Sequence, residues 1–459
     1  MAQKVRRVRQ KLKLCTMYYN PLFLQTPSLV EQAFYETDLG KLYRSIPFKE
    51  LAIKIAAPRS ERSGRGRKPI LKVEGGIALV VLKHYLGLSD EMLIDRLNTD
   101  WCLQYFCGVQ LGLRRIRDKS LVSWWRSYIG RHLDIKEMQK VLADAWRPWM
   151  EQRHVTMMDA TVYESHVRYP TDVKLVWESA QKIYRLLQEK RKGLGERRSR
   201  SNYEKHREKY LHFQKKRKKG KREEKRVRRG LLAYLGRLVN NLNDLHTSRQ
   251  FRYKGKERKL VQTIRLVYTQ QRELLYGDKS KVKGRIVSIN KPYVRPIIRG
   301  KEVKPVEFGV KVHKVQVSGI SFIEYMSYEA YNEGTRLKQS IAFHQSLFGR
   351  CSQLAADQIY ATNENRKYCS RMGIATSFSA KGRLGKLADQ QARLRSVLGN
   401  IRSTVLEGSF GNEKNHYLLS RVRARTQATE IVWVFAGMLA ANASLISRRM
   451  EQQRLRQSA

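Results

Sequence analysis

The sequence predicts an α/β protein: a mixed sheet flanked by helices, preceded by an all-α region and interrupted by a basic helical insertion. Three observations lead to this prediction. Apolar residues recur at helical spacing through 28–150, and β-branched and aromatic residues alternate over 154–163 and 284–330. Between these two strand regions lies a long, strongly cationic helical stretch. The chain has 459 residues and is 41% hydrophobic, which is enough for more than one core.

The net charge is the strongest bulk property of the chain. Lys and Arg number 92 against 41 Asp and Glu, which gives a formal charge of +51. Such an excess repels itself, so a polyanionic partner is expected. Nucleic acid fits best, because each phosphate neutralised by Lys or Arg releases a counterion. An anionic membrane surface and a ribosome are the competing partners that the composition leaves open.

Cysteines and apolar segments indicate the compartment. The five cysteines have no Cys-x-x-Cys spacing, so we interpret them as reduced thiols of an intracellular protein: Cys15, Cys102, Cys107, Cys351 and Cys369. The basic N-terminus has no apolar segment after it, so a signal peptide is not expected. The longest apolar run, 431–446, is shorter than the roughly 20 residues of a membrane span and contains Asn442. We expect a buried core helix, a cytoplasmic protein and no membrane partner.

The domain organisation follows from these patterns. Within the helical N-terminal region, Ser89 is expected to cap a helix that breaks near Asn98. The Gly/Arg/Ser loop at 59–69 suits phosphate contact or a solvated linker equally well. The predicted parts are a basic arm (1–27), an all-α DNA-binding domain (28–150), a sheet-containing domain (151–175 and 285–449), a basic helical insertion (176–284) and a C-terminal tail (450–459).

The insertion is predicted to be a helical hairpin with a basic connection. Helical apolar spacing is found in QKIYRLLQEKRKG, LLAYLGRLVNNLNDLH and KLVQTIRLVYTQQRELLYG, whereas 196–230 has few apolar residues. Its charge is so one-sided that we favour contact with DNA over a merely solvated face. After the insertion, strands are predicted at KGRIVSI, VEFGVKVHKVQVSG and SFIEYMSYEAY, and the last part is mostly helical.

Three carboxylates are the candidate catalytic residues. Asp159 follows VTMM and Asp357 follows QLAA, each at the apolar end of a short predicted strand, and Glu407 ends a predicted helix. Charged groups are seldom buried unless they are paired or bound to metal. Converging carboxylates would hold two divalent cations, which suits phosphodiester cleavage. Each also has a structural alternative: Asp159 capping a turn, Asp357 capping a helix, and Glu407 pairing with Arg402.

Five segments in order resemble the DDE transposases of bacterial insertion sequences. MMDATVYESHVRYPTD resembles the first-Asp strand, VEFGVKVH the next strand, AADQIYATNENRKYCSRMGI the second-Asp segment, and LEGSFGNEKNHYLLSRVRAR the Glu segment. LGLSDEMLIDRLNTDWCLQYFCGV is similar to the helical N-terminal domain of such enzymes. Lys414 follows Glu407 at the spacing of the family's Tyr-Arg-Glu-Lys signature. Arg402 departs from it, because it lies five residues before Glu407 and Ser403 holds the fourth position.

The resemblance implies that 151–175 and 285–449 form an RNase H-like catalytic domain. Asp159, Asp357 and Glu407 are then its catalytic metal ligands for two Mg²⁺ or Mn²⁺ ions. The resemblance also implies metal-dependent DNA cleavage at element ends and strand transfer into target DNA, by a homodimer or larger assembly on DNA, associated with the nucleoid. His313 and Asp172 are interpreted as structural. The alternative is a non-catalytic nucleic-acid-binding protein, either an inactive transposase relic or an RNA- or ribosome-associated basic protein. The candidate DNA contacts are Lys414, Arg402, Arg421, Arg423 and Arg425.

Overall fold

The computed structural model describes residues 27–55, 69–199, 201–277, 282–298, 305–381 and 388–458. Nearly all of two predicted features, the basic arm and the Gly/Arg/Ser loop, therefore lies outside the described residues, as does Cys15. The other four cysteines are free thiols, as the sequence predicted.

The N-terminal region is helical. Ser89 caps one of its helices through its Oγ, which accepts from the Met92 amide at 3.1 Å, and that helix ends at Leu97, just before Asn98. Both predictions for this helix are confirmed. The helices are α1 (Pro27–Glu36), α2 (Asp38–Arg44), α3 (Phe48–Ile55), α4 (Val73–Tyr85), α5 (Asp90–Leu97), α6 (Trp101–Phe106), α7 (Leu121–His132) and α8 (Ile135–Trp146).

A mixed sheet follows, which confirms the α/β class. Its strands are β1 (Val155–Glu164), β2 (Pro296–Ile298), β3 (Val306–Val317), β4 (Ile320–Ser327), β5 (Gln353–Ala356) and β6 (Ala375–Thr376). The spatial order is β4-β3-β1-β5-β6, with the short β2 beside the first residues of β3. β3 is antiparallel to β1 and β4, whereas β1, β5 and β6 are parallel.

Helices from the second half of the chain cover the sheet. They are α13 (Leu337–Phe348), α14 (Asn363–Arg371), α15 (Ala388–Ile401), α16 (Glu407–His416) and α17 (Gln427–Ser458). In the described part of the chain, α17 alone is long and apolar enough to cross a membrane, and 83% of its apolar window is buried inside the protein. The prediction of a buried core helix is therefore confirmed.

The N-terminal helices share their core with the sheet. One apolar cluster contains Leu79 of α4, Trp125 of α7, Phe322 of β4 and Val434 of α17. Because α17 is apolar on most of its circumference, it can pack against helices and strands together. The prediction of a separate all-α domain is therefore not confirmed.

The insertion has its own core. It consists of α9 (Asp172–Gly193), α10 (Tyr203–Lys215), α11 (Lys221–Arg249) and α12 (Gly255–Tyr276). Much of 196–230 is thus helix, and its prediction as a connection was wrong: Phe213 is buried, and Tyr203 and Tyr210 stack on Trp177. The prediction of a strand at KGRIVSI was also wrong, because 283–289 contain no strand. Its apolar residues pack into two different cores instead. Ile286 and Ile289 pack into the core of the insertion, and Val287 packs into the core shared by the N-terminal helices and the sheet.

Ion pairs define the two ends of the insertion. Asp172, at the start of α9, lies 3.2 Å from Arg228 of α11 and accepts from Gln271 of α12 at 2.9 Å. At the other end, Arg249 lies 2.8 Å from Glu196. α9 and α11 therefore run in the same direction, and the beginning of α11 returns to the end of the insertion that joins the sheet. Asp172 is structural, as predicted.

Candidate active site

Strand register brings the two aspartates side by side. Met158 of β1 pairs with Ala356 of the parallel β5, so Asp159 and Asp357 are the next residues on strands about 4.8 Å apart. β1 continues past Asp159, whose side chain is 19% exposed. β5 ends at Ala356, and the exposed Asp357 caps a 3₁₀ turn by accepting from the Gln358 amide at 2.7 Å. The capping alternative for Asp357 is thus also realised.

Glu407 follows a π turn, and this turn accounts for the unusual spacing of Arg402. The turn covers Arg402–Leu406, and the Glu407 amide donates to the Arg402 carbonyl five residues back. A π turn holds one residue more than an α turn, so residues five apart share a face as residues four apart do in an α-helix. The additional residue before Glu407 is absorbed in this way, and Arg402 remains on the face of Glu407.

Arg402 lies between two of the candidate carboxylates. Its Nη1 is 3.4 Å from Asp159 Oδ2 and 3.2 Å from Glu407 Oε1. The two carboxylate oxygens are therefore no farther apart than the sum of these distances. The Glu407 side chain is 51% exposed, whereas that of Arg402 is 19% exposed. The sequence suggested Arg402 as a DNA contact, but its observed partners are acidic side chains of the site.

Asp159 has a strongly shifted pKa. Burial raises it to about 6, and the negative charges of Glu333 and Asp357 act in the same direction. The Ala160 amide, which donates to Oδ1 at 2.7 Å, and Arg402 oppose the rise. The effect of Asp357 on Asp159 agrees with their neighbouring positions in the sheet.

Glu333 is an acidic neighbour that the sequence analysis missed. It begins a 3₁₀ turn after β4, is buried, and lies 2.7 Å from Lys311 Nζ. Lys311 belongs to the Phe-Gly-x-Lys-x-His segment of β3, and a lysine on a buried strand was the signal for an acidic partner. His313 of the same segment is buried, with Nε2 2.7 Å from Tyr360 Oη. It therefore supports the turn after Asp357, in agreement with its predicted structural role.

A buried ion pair fastens α16 to the sheet. Lys314 of β3 is opposite Asp159 in the register, and its Nζ lies 2.7 Å from Glu413 Oε1, with side-chain exposures of 0% and 2%. The Tyr163 hydroxyl donates to the other Glu413 oxygen, and Lys314 also donates to Ser409 Oγ at 3.1 Å. Burial lowers the pKa of Lys314, and the charge of Glu413 opposes this. Sequence reasoning did not find this pair.

Lys414 lies over β1 close to Asp159. The helix continues past Glu407, so Lys414 is two turns farther along α16. Its Nζ donates at 3.0 Å to the hydroxyl of Thr161, which is on the same face of β1 as Asp159. Asp159, Glu407 and Lys414 therefore follow one another along a single groove between β1 and α16.

The three alternating arginines lie beyond this groove. Their segment runs beside the end of β1: Ser165 and Val422 form a bridge, and the His166 amide donates to the Val422 carbonyl at 2.8 Å. Burial lowers the pKa of His166, and the charges of Arg421 and Arg423 lower it further. Arg421 and Arg423, on either side of Val422, thus lie as a pair at the end of β1, and all three arginines are exposed.

The donor set of the site is oxygen, which is the chemistry that hard divalent cations prefer. In the described ranges, however, no group of three or more His, Cys, Asp or Glu side chains is close enough to hold a metal ion. Asp159 and Glu407 both contact the guanidinium of Arg402, and Asp357 follows the end of the adjacent strand. A cavity of about 470 Å³ behind α16 is lined by Ser409 and Glu413 but by none of the three candidate acids. Asp357 and Glu407 are exposed, so the candidate site is open to solvent.

Comparison with known proteins gives two family matches. A Transposase DDE domain model matches residues 354–442, which contain Asp357, Glu407 and Lys414. A Transposase domain (DUF772) model matches residues 29–128, within the N-terminal helices. No curated protein and no solved structure matches the chain. The resemblance seen in the sequence is confirmed by these two matches, which support a DDE transposase of the insertion-sequence type.

Proposed function

We propose that the chain cleaves DNA at the ends of an insertion sequence and joins those ends to target DNA, with Asp159, Asp357 and Glu407 as its catalytic residues. The observation that carries the proposal is that Asp159 and Glu407 contact the same guanidinium nitrogen of Arg402, beside a parallel strand that ends directly before Asp357. These acids are far apart in the sequence, and the chain around them has a charge of +51. An acidic site within a cationic protein suits the binding of a metal against a DNA phosphate.

The sheet supports an RNase H-like core for this proposal. β3 is the one long strand that opposes the others, since β4 and β1 both run antiparallel to it and β5 and β6 are parallel to β1. Asp159 lies on the central strand β1, and Asp357 directly follows its parallel neighbour β5. This is the arrangement that the resemblance to DDE transposases implies.

We propose that the three carboxylates hold two Mg²⁺ or Mn²⁺ ions. Bound there, the ions would activate the attacking hydroxyl and stabilise the leaving oxygen of the phosphodiester. Asp159 is held in place by β1, whereas Glu407 and Asp357 are exposed and can rotate toward it. Arg402 offsets the repulsion between Asp159 and Glu407, and its release would free both carboxylates as ligands.

The reaction has two stages. Water first hydrolyses the phosphodiester at the element end and leaves a 3′ hydroxyl, and this hydroxyl then attacks a target phosphodiester in line. Lys414, fixed over Thr161 beside Asp159, is suited to hold the scissile phosphate. Handling two ends together requires at least a homodimer on DNA. Because its substrate is DNA, we expect the protein to be associated with the nucleoid in the cytoplasm.

A cleavage assay tests the proposal. Labelled element-end DNA is incubated with Mg²⁺ or Mn²⁺ and with wild type, Asp159→Asn, Glu407→Gln or the control Asp144→Asn. Asp144 is an exposed acid on α8 whose ion-pair partner is Arg147 rather than a residue of the candidate site. We expect cutting by wild type and the control and a loss of at least about 100-fold in the two site variants. Equal cutting by wild type and Asp159→Asn removes Asp159 from the catalytic role.

A second candidate function is binding of nucleic acid without cutting. The absence of a closed three-ligand group among the described side chains favours it. Retained DNA binding by wild type, with no cutting in either metal, would support this function over the catalytic one.

A further inference from the structure

The most cationic part of the described chain is the α10–α11 connection, by which we mean the turn at 216–220 together with the adjoining ends of the two helices. Residues 203–229 contain 14 Lys and Arg against 4 Asp and Glu. Glu223 and Asp172 neutralise Lys216 and Arg228. In the described part of the chain no acidic side chain pairs with the exposed cations Lys215, Arg217, Lys218, Lys221, Arg222 and Lys225.

The fold returns this connection to the sheet. Arg228 is fixed to Asp172 at the base of the insertion, and seven residues of α11 precede it. At 1.5 Å per residue they extend about 10 Å beyond that base. On the other side of the connection, Tyr210 of α10 stacks on Trp177 at 5.2 Å, near the beginning of α9. The charge of Arg168, just after β1, acts on Tyr210. The cationic connection therefore lies beside the end of β1.

Further cations fill the interval between this connection and the catalytic groove. Arg421 and Arg423 flank Val422, which bridges to Ser165, and the charge of Arg168 reaches His166 at the same place. Nearer the catalytic carboxylates, Lys414 lies on Thr161. The order along β1 is thus Lys414, then the pair Arg421 and Arg423 with Arg168, then the α10–α11 connection.

We propose that these cations form one continuous surface, the DNA track, that binds the phosphate backbone of the duplex adjoining the scissile bond. This inference rests on the proposed function. From Asp159 to Ser165 the extended chain covers about 20 Å, and the α10–α11 connection adds further length. The whole track thus has the length of about one turn of B-DNA, ~34 Å.

The N-terminal helices are a weaker candidate for this contact. Residues 69–150 carry 12 Lys and Arg against 9 Asp and Glu, so their net charge is small. Affinity for the phosphate backbone depends on the number of cations that displace counterions. The charge therefore assigns the backbone contact to the base of the insertion, although the sequence suggested 28–150 as the DNA-binding domain.

Two triple variants with equal charge loss test the DNA track. In the inert Asp159→Asn background, Lys218, Lys221 and Arg222 are changed to Gln in one protein. In the control, Arg252, Lys256 and Lys259 are changed to Gln; these exposed residues lie at the opposite end of the insertion, near Glu257. Binding to a mixed-sequence duplex of about three turns is measured by fluorescence anisotropy across a salt series.

In the track variant, the negative slope of log K against log salt is expected to become shallower by up to about 2.7, since each lost phosphate contact removes roughly 0.9 from its magnitude. The control is expected to keep the wild-type slope. Equal losses in both variants, or no loss in the track variant, would overturn the inference, because the charge would then act diffusely or elsewhere.

A hydroxyl-radical footprint on element-end DNA locates the contact. We expect the track variant to lose protection about one turn from the cut while protection at the cut remains. Loss at the cut alone would contradict the proposed position. Failure of wild type to cut in Mn²⁺ would refute the proposed function but not the track. Cutting by wild type, together with an unchanged footprint of the track variant, would refute the track alone.

Discussion

The buried pair of Lys314 and Glu413 allows a quantitative test of how α16 is held. In Glu413→Leu, the Lys314 ammonium would remain at 0% exposure without its carboxylate, and Tyr163 would lose its acceptor. Removing one partner of a buried pair costs about 3–5 kcal/mol, because the other charge stays buried and uncompensated. We expect this loss in the free energy of unfolding of Glu413→Leu, and a smaller loss in Lys314→Met/Glu413→Leu.

The pH dependence of this variant follows from the same burial. Burial already lowers the pKa of Lys314, and removal of Glu413 lowers it further, since its charge opposed the shift. The unfolded chain then binds more protons at Lys314 than the folded chain, so stability rises with pH. The deficit of Glu413→Leu should therefore shrink as the pH rises toward the ordinary lysine pKa of 10.5.

Urea unfolding of the two single variants and the double variant forms a double-mutant cycle. The exposed pair of Lys338 and Glu364, with side chains 43% and 77% exposed, is the control and should show a coupling below about 1 kcal/mol. If the two core substitutions add without coupling, the pair does not stabilise the fold as argued. Intact stability in Glu413→Leu would have the same meaning.

Three other outcomes are expected. Mn²⁺ affinity, measured by calorimetry without DNA, should fall as the pH drops through about 6, because Asp159 must be deprotonated to bind metal; affinity that is constant across this range would contradict the assignment. Deletion of Ser403 should turn the π turn into a regular α turn and preserve both DNA cutting and the melting temperature. Deletion of Ser396 in α15 should instead rotate that helix, abolish cutting and lower the melting temperature. Equal effects of the two deletions would refute the register argument. Gly309→Ala should destabilise the protein by about 1–3 kcal/mol in thermal unfolding, because its Cβ would lie 2.1 Å from the Tyr163 carbonyl oxygen, and the control Gly230→Ala, which meets open space, should stabilise it slightly.

The local elements were predictable from neighbouring residues. Ser89 before an apolar helical pattern, the alternation of β3, and the long apolar run of α17 each reflect interactions within a few residues or one dominant burial preference. The neighbouring positions of Asp159 and Asp357 were also within reach, because both end short apolar runs that suit adjacent parallel strands. The misread segment KGRIVSI marks the limit, since alternating apolar residues also suit an irregular chain between two cores.

The sequence by itself therefore determined the α/β class, most helices and strands, and the candidate acids. The tertiary structure decided that Arg402 lies between Asp159 and Glu407, that Lys314 pairs with Glu413, and that the cationic connection returns to the end of β1. Residues far apart in the chain make these contacts. Their formation depends on helix direction, strand register and a single π turn, which no local pattern of residues specifies.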